Sequence, residues 1–267
     1  MARETSNMKN KSVSYDSSDE EEDLVDFRLA LEKLTLGPRK KLLVLSLGGL
    51  LCHRVFRHDK SKIPRYRDPD TSYGSFLVYK RPHCDEFMKF CFERFEVGIW
   101  SSAREWHLNN TLDCIMRGMK NKLALAWDQD KCTNSGFKTL EKKDKPIYLK
   151  ELKKLGSLGF EHSSEVLLID DRPYKTLLNP PHTAIFLNEY NVDQVNDTAL
   201  DEFMNYNLKL LLSIGPNSEL RLYLDGLAEA EDVPSYVKEY PFGQPAITPE
   251  HSDWEYYSRI IHRLKEE

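Results

Sequence analysis

Four segments of the chain end in groups that could share one reaction. Ser46 and Gly48 follow the apolar run Leu42–Leu45, Ser101 follows Phe95–Trp100, Lys150 follows Tyr148-Leu149, and Asp170 with Asp171 closes Val166–Ile169. A phosphoryl-transfer site of this design needs a carboxylate nucleophile, a hydroxyl for the phosphate, a lysine for its charge, and acids for Mg²⁺. Three of those four parts are present, and the carboxylate nucleophile is not.

Secondary-structure elements must bring these groups together. Leu42–Leu45, with Lys40-Lys41 before it and Gly48-Gly49 after it, reads as a buried parallel strand ending in a tight loop. His53 to Tyr79 is rich in Arg, Lys, Pro and Tyr without a sustained helical period, so it reads as an inserted loop or small hairpin, with strand character over Ser75–Tyr79. Pro82 to Phe95 has helical spacing, with Pro82 near its start and Asp85 and Glu86 in its first turn. Further strands are expected over Phe95–Trp100, Leu123–Trp127, Val166–Ile169 and Ala184–Leu187. Helices are expected over Arg104–Met116 and over Tyr148–Leu155, the latter closed by Gly156, which places Lys150 at a helix start. This alternation predicts an α/β fold, a doubly wound parallel sheet flanked by helices, with one site along its carboxyl edge.

Beyond the sheet, helices are expected over Leu200–Leu212 and Ser218–Ala230. From Val233 onward prolines and aromatics suggest an extended segment, with a last helix over Trp254–Leu264. Residues 16–23 are wholly serine and acid, a composition that cannot bury enough apolar surface to order itself. The expected organisation is a disordered acidic tail over 1–25, a short helix or linker over 26–38, a main domain over 39–233 with an insert at 53–79, and a C-terminal extension over 234–267.

Composition bounds the function classes. The 267 residues are 40% hydrophobic and 11% aromatic, enough for a packed core. A net charge of -5 gives no general case for nucleic-acid binding, so no direct contact of that kind is expected. The five cysteines form no CxxC pair, which supports neither a zinc site nor a disulfide framework. No apolar run approaches the roughly 20 residues of a membrane helix, so no membrane partner is expected. The N-terminus is acidic where a mitochondrial presequence would be basic, and the expected location is therefore nuclear or cytoplasmic rather than mitochondrial.

Several local patterns are more specific. They are Lys80-Arg81-Pro82 with Asp85-Glu86-Phe87, Ile99-Trp100-Ser101-Ser102-Ala103, Tyr148-Leu149-Lys150-Glu151-Leu152 with Leu155-Gly156, and Val166-Leu167-Leu168-Ile169-Asp170-Asp171-Arg172-Pro173. Over roughly Arg39 to Val233 they resemble the haloacid dehalogenase superfamily, and within it the small phosphatases that act on the C-terminal domain of RNA polymerase II, also called the nuclear LIM interactor interacting factor domain. The resemblance implies a haloacid-dehalogenase-like sheet with a small insertion after the first catalytic strand. It implies Ser101 as the phosphate-binding hydroxyl, Lys150 as the lysine that neutralises the phosphoryl oxygens, and Asp170 with Asp171 as the acids for lysine and metal. Alone, Ser101 would be a helix N-cap, Lys150 a solvated helix lysine and the acid pair turn chemistry. In the family's order they read as one pocket.

The same resemblance implies that Ser46 stands where the family has its aspartyl nucleophile and Gly48 where it has the acid/base aspartate. A serine there needs a base, and Gly48 removes the nearest one. Mg²⁺ is weakened or lost, since it keeps only Asp170, Asp171, the carbonyl of Gly48 and water. By analogy with nucleophile deletion elsewhere, the rate loss is on the order of 10⁶-fold. The expectation is a catalytically impaired phosphatase-like protein that binds phosphorylated or acidic protein segments. The alternatives are a weakly active Mg²⁺-dependent phosphoserine or phosphothreonine phosphatase, and a subunit like the presequence receptor of the mitochondrial inner-membrane translocase. The basic insert, with Arg57, Arg65 and Arg67, could grip an acidic or phosphorylated peptide. Trp100 and Trp127 read as core residues at strand ends rather than stacking platforms.

Overall fold

The computed structural model describes residues 40–160, 163–201 and 220–266. The acidic tail over 1–25, the helix or linker over 26–38 and, apart from Leu200 and Asp201, the helix over Leu200–Leu212 lie outside the described residues.

In chain order the strands are β1 (Leu42–Leu45), β2 (Cys52–Phe56), β3 (Thr71–Tyr73), β4 (Phe76–Lys80), β5 (Glu96–Trp100), β6 (Leu125–Trp127), β7 (Thr133–Lys138), β8 (Pro146–Leu149), β9 (Val166–Asp170) and β10 (Ala184–Phe186). The helices are α1 (Cys84–Arg94), α2 (Glu105–Ile115), α3 (Leu220–Glu229), α4 (Val233–Glu239) and α5 (Trp254–Glu266). Five strands form a parallel sheet in the order β10-β9-β1-β5-β6. The chain leaves β1 toward β6 on one side and returns to β9 and β10 on the other. The strand order therefore reverses beside β1, the position at which open α/β sheets place ligands.

Burial explains why β1 and β9 are almost purely aliphatic. Leu43, Leu45, Leu167 and Ile169 point to one face, where they meet Phe87 of α1, Leu112 of α2 and Leu224 of α3. Leu42, Val44, Val166 and Leu168 point to the other, where they meet Trp100, Leu152, Leu155 and Phe160. Alternate residues of a strand face opposite sides, so a sheet covered on both sides requires apolar residues at every position. Trp100 is fully buried and packs edge-on to the half-buried Trp127, with ring centroids 4.9 Å apart. All five cysteines are buried free thiols. Among the described residues no helix is long and apolar enough to cross a membrane.

Three segments depart from the sequence expectation. The insert at 53–79 is a three-stranded antiparallel sheet, β2-β4-β3, rather than a loop or single hairpin. The helix expected over Tyr148–Leu155 is instead strand β8, paired antiparallel with β7, followed by tight 3₁₀ turns over Leu152–Leu158 that end at Gly159. Ile147 and Leu149 alternate into one apolar cluster with Tyr174, Tyr257 and Ile260, a period of two that overrides the three-residue spacing of Leu149, Leu152 and Leu155. The segment after Val233 begins as helix α4 rather than extended chain. Asp232 caps it by accepting from the Ser235 N–H (2.9 Å), and Pro234 sits in the first turn, where its missing N–H costs nothing.

Helix α5 lies behind the β7–β8 hairpin and seals the cluster around Ile147 and Leu149 through Tyr257 and Ile260. Replacing Ile260 by Ala is expected to lower stability by about 2–5 kcal/mol, whereas Ala at the exposed Glu255 should change it by under about 0.5 kcal/mol. Denaturant unfolding of both variants measures the difference.

Candidate functional site

Strands β1 and β9 run in register, Leu45 beside Ile169, so their next residues emerge together at the carboxyl edge. Ser46 donates its backbone N–H to the carbonyl of Ile169 (2.9 Å), and its side chain is buried. The second segment to arrive is the end of β8. Lys150, fully buried, donates from Nζ to Ser46 Oγ (3.0 Å) and to Asp170 Oδ2 (2.6 Å). Its backbone is fixed on both sides, the N–H donating to the carbonyl of Lys175 (2.8 Å) and the carbonyl accepting from Asn179 Nδ2 (2.8 Å). Strand geometry at β8 is thus what aims this lysine into the sheet edge.

Asp170 is the hub. Its Oδ1 accepts from the backbone N–H groups of Asp171 (2.8 Å) and Arg172 (3.0 Å) and from Lys175 Nζ (2.7 Å), while Oδ2 accepts from Lys150. Lys175 also donates to Asp171 Oδ1 (3.0 Å). Burial opposes ionisation of Asp170, yet Lys150 and Lys175 outweigh it and hold the carboxyl far below the usual range. Burial pushes Lys175 down, but the two aspartates raise it overall, so the ammonium is firmly retained. Burial lowers Lys150, with Asp170 counteracting. Burial raises Asp171, and the neighbouring Asp170 adds to the effect despite the contact with Lys175.

These contacts bear on a metal. A carboxylate offers about four lone-pair positions, two on each oxygen; Asp170 Oδ1 already receives three donors, and Oδ2 is held by the Lys150 ammonium. Asp171 keeps Oδ2, but this oxygen is ion-paired with Arg172 (3.3 Å) and packs so close to the loop that a Cβ on Gly49 would fall 2.4 Å from it. Among the described residues no group of three or more His, Cys, Asp or Glu is placed to hold a metal. The side chains present do not fit the open oxygen shell that Mg²⁺ requires.

Around this floor opens a cleft of about 340 Å³ lined by Ser46, Gly48, Ser101 and Lys175. Ser101 is not the cap of a helix, since α2 is capped at Arg104; its Oγ accepts from the Ala103 N–H (3.1 Å). Among the described residues its own O–H has no acceptor. Gly48 has no neighbour within 4 Å of where a Cβ would stand. Four cations, Arg54, Lys142, Lys145 and Lys175, line the cleft against the acids Asp171 and Glu189. His53 adds no charge: it accepts the Val192 N–H at Nδ1 (3.0 Å), and burial lowers its pKa.

Ser46, Gly48, Ser101, Lys150, Asp170 and Asp171 are therefore gathered at one edge. Arg57, Arg65 and Arg67 do not line the cleft. Arg57 and Arg65 are exposed, and the guanidinium of Arg67 is engaged by Asp70, the carbonyl of Lys80 and Tyr190. The insert reaches the cleft through Arg54 and Phe76. Lys175 escaped the sequence reading. Its signal is Pro173, which starts a short turn over Pro173–Thr176 and folds a lysine four and five residues on back onto the aspartates.

Residues 41–215 match the NLI interacting factor-like phosphatase family. No curated protein matches the chain. Among solved structures, a variant of the fission yeast RNA polymerase II CTD phosphatase Fcp1 bound to beryllium fluoride aligns at 16% identity and a TM-score of 0.38. A structure described as Fcp1, an essential RNA polymerase II CTD phosphatase, aligns at 17% and 0.38. Each alignment covers 91% of this chain and 66% of the other.

Two outcomes follow from the floor of the cleft. Gly49→Ala, at φ +82°, should destabilise the fold by about 1–3 kcal/mol while Gly48→Ala stays within about 1 kcal/mol, read by thermal unfolding. Asp170→Asn strands the buried Lys150 ammonium, leaves Lys175 with Asp171 alone, and should cost about 3–5 kcal/mol. Because the folded pKa of Asp170 is depressed, its contribution is complete above the unfolded value of about 3.9 and fades as pH falls toward the folded value. The gap between wild type and variant should therefore narrow below about pH 4 in denaturant titrations.

Proposed function

The chain belongs to the NLI interacting factor-like phosphatase family, and from that membership we propose that it is a phosphatase-like protein that binds phosphorylated or acidic protein segments without turning them over. The observation that carries this reading is the surrounding of Ser46. Among the described residues its Oγ is hydrogen-bonded by Lys150 alone, and Gly48 brings no side chain to the cleft. Lys150 is a poor base for the Ser46 proton, because its charge-assisted bond to Asp170 depends on the ammonium form. Without a carboxylate nucleophile or an acid/base partner, neither formation nor hydrolysis of a phosphoryl-enzyme has a route.

Binding needs less. The hydroxyl of Ser101 and the cations Arg54, Lys142 and Lys145 offer donors to an anion entering the cleft. Members of this family ordinarily work with Mg²⁺, and here the ion is weakened or lost, since the positions equivalent to two of the family's acids are Ser46 and Gly48. The exposed Arg57 and Arg65 of the insert would extend the grip along an acidic segment.

Mg²⁺-supplemented assays with an aryl phosphate and a phosphoserine peptide should give no turnover above buffer. Binding of the peptide, followed by calorimetry, should weaken about tenfold or more in Ser101→Ala and in Arg54→Ala, the loss of one hydrogen bond to a charged group each. Turnover by the native chain that disappears in Lys150→Ala would overturn this reading and establish slow chemistry at Ser46.

A further inference from the structure

We propose that Lys175 is a built-in substitute for a divalent cation: its ammonium holds the position between Asp170 and Asp171, bars Mg²⁺ from it, and lets the cleft hold an anion without metal. The last part rests on the anion-binding reading above; the first two stand on the geometry of the cluster itself.

Three observations converge. Lys175 Nζ lies 2.7 Å from Asp170 Oδ1 and 3.0 Å from Asp171 Oδ1, one donor to each aspartate, with the lysine 6% exposed. The backbone fixes it there, its N–H donating to the carbonyl of Arg172 (3.1 Å) and its carbonyl accepting from Lys150 (2.8 Å). The charges also close. Two buried carboxylates, Asp170 and Asp171, face two buried ammoniums, Lys150 and Lys175, and the guanidinium of Arg172 beside Asp171 is matched by Glu189. A divalent ion added to that neutral set would leave an uncompensated double charge out of water, which low-dielectric surroundings penalise heavily. Serine and glycine at positions 46 and 48 add no carboxylate to balance it, and Glu189 at the cleft wall is already paired with Arg172.

The geometry also says what Lys175 does in place of the metal. An ammonium has three donors and no acceptor. Two go to the aspartates, and among the described residues the third has no partner, at a lysine that lines the cleft. A phosphate or carboxylate group settling over Ser46 would meet that N–H, as it would otherwise meet a cation held by the same two acids.

Mn²⁺ titration of the full chain, followed by electron paramagnetic resonance with Mg²⁺ as competitor, tests the exclusion. The native chain should show no site up to about 1 mM, the weak limit of protein cation sites. Lys175→Ala and the longer, uncharged Lys175→Gln, both prepared in Mg²⁺, should gain one Mg²⁺-displaceable site at least tenfold tighter, and Asp171→Asn added to either should remove it. A site in the native chain that Asp171→Asn abolishes would overturn the proposal even if neither lysine variant folds. So would folded lysine variants, verified by circular dichroism, that bind no more Mn²⁺ than the native chain. In parallel, phosphoserine-peptide binding by the native chain should not change when EDTA replaces Mg²⁺; a tenfold loss in EDTA would overturn metal independence. A peptide that binds under neither condition would sink the anion-binding reading and metal-independent binding with it, while leaving the Mn²⁺ result to judge the exclusion.

Discussion

The carboxylate of Asp170, buried and held by four donors, is the constraint on which the site depends. An isolated charge in that position would be costly, and removing any one partner would leave another charge uncompensated. The surrounding chain is arranged to prevent this. Strand β9 delivers the acid, the end of β8 delivers Lys150, and the Pro173 turn delivers Lys175. Ser46 is bound into the same set through Lys150, which ties the central strand of the sheet to a hairpin outside it.

That hairpin in turn explains the C-terminal segment. Lys150 is aimed correctly only while β8 stays extended, and β8 stays extended because Ile147 and Leu149 are buried against Tyr174, Tyr257 and Ile260. Helix α5 therefore supports the lysine from behind without approaching the cleft. Glycine plays a comparable part at the loop after β1. Gly49, at φ +82°, lets the backbone come so near Asp171 that no other residue would fit.

On the reading proposed above, the cleft works as an anion receptor rather than as a catalyst. Its cations and hydroxyls surround a floor whose own charges already balance, so an incoming anion meets donors without having to displace a tightly paired acid. The family's reaction, in contrast, needs a carboxylate free to attack and a second free to move a proton. Positions 46 and 48 carry no carboxylate, and Asp170 and Asp171 are paired with lysines.

How much of this could be read from residues alone follows from the range of the forces involved. The strands of the parallel sheet, the helices α1 and α2 between them, the family, and the placement of Ser46, Gly48, Ser101 and Asp170 at strand ends were legible, because apolar runs buried on both faces and short local motifs carry their meaning within a few residues. The absence of carboxylates at 46 and 48 is likewise a fact of the sequence. Strand β8, helix α4 and the partners of the aspartates were not legible. Local spacing around Lys150 permits a helix, and only the apolar cluster behind Ile147 and Leu149 selects a strand. Lys150 and Ser46 are 104 residues apart, and Lys175 belongs to no motif. Which ammonium neutralises which carboxylate is decided by burial and register in the folded chain, where the cost of an unpaired charge leaves one arrangement standing.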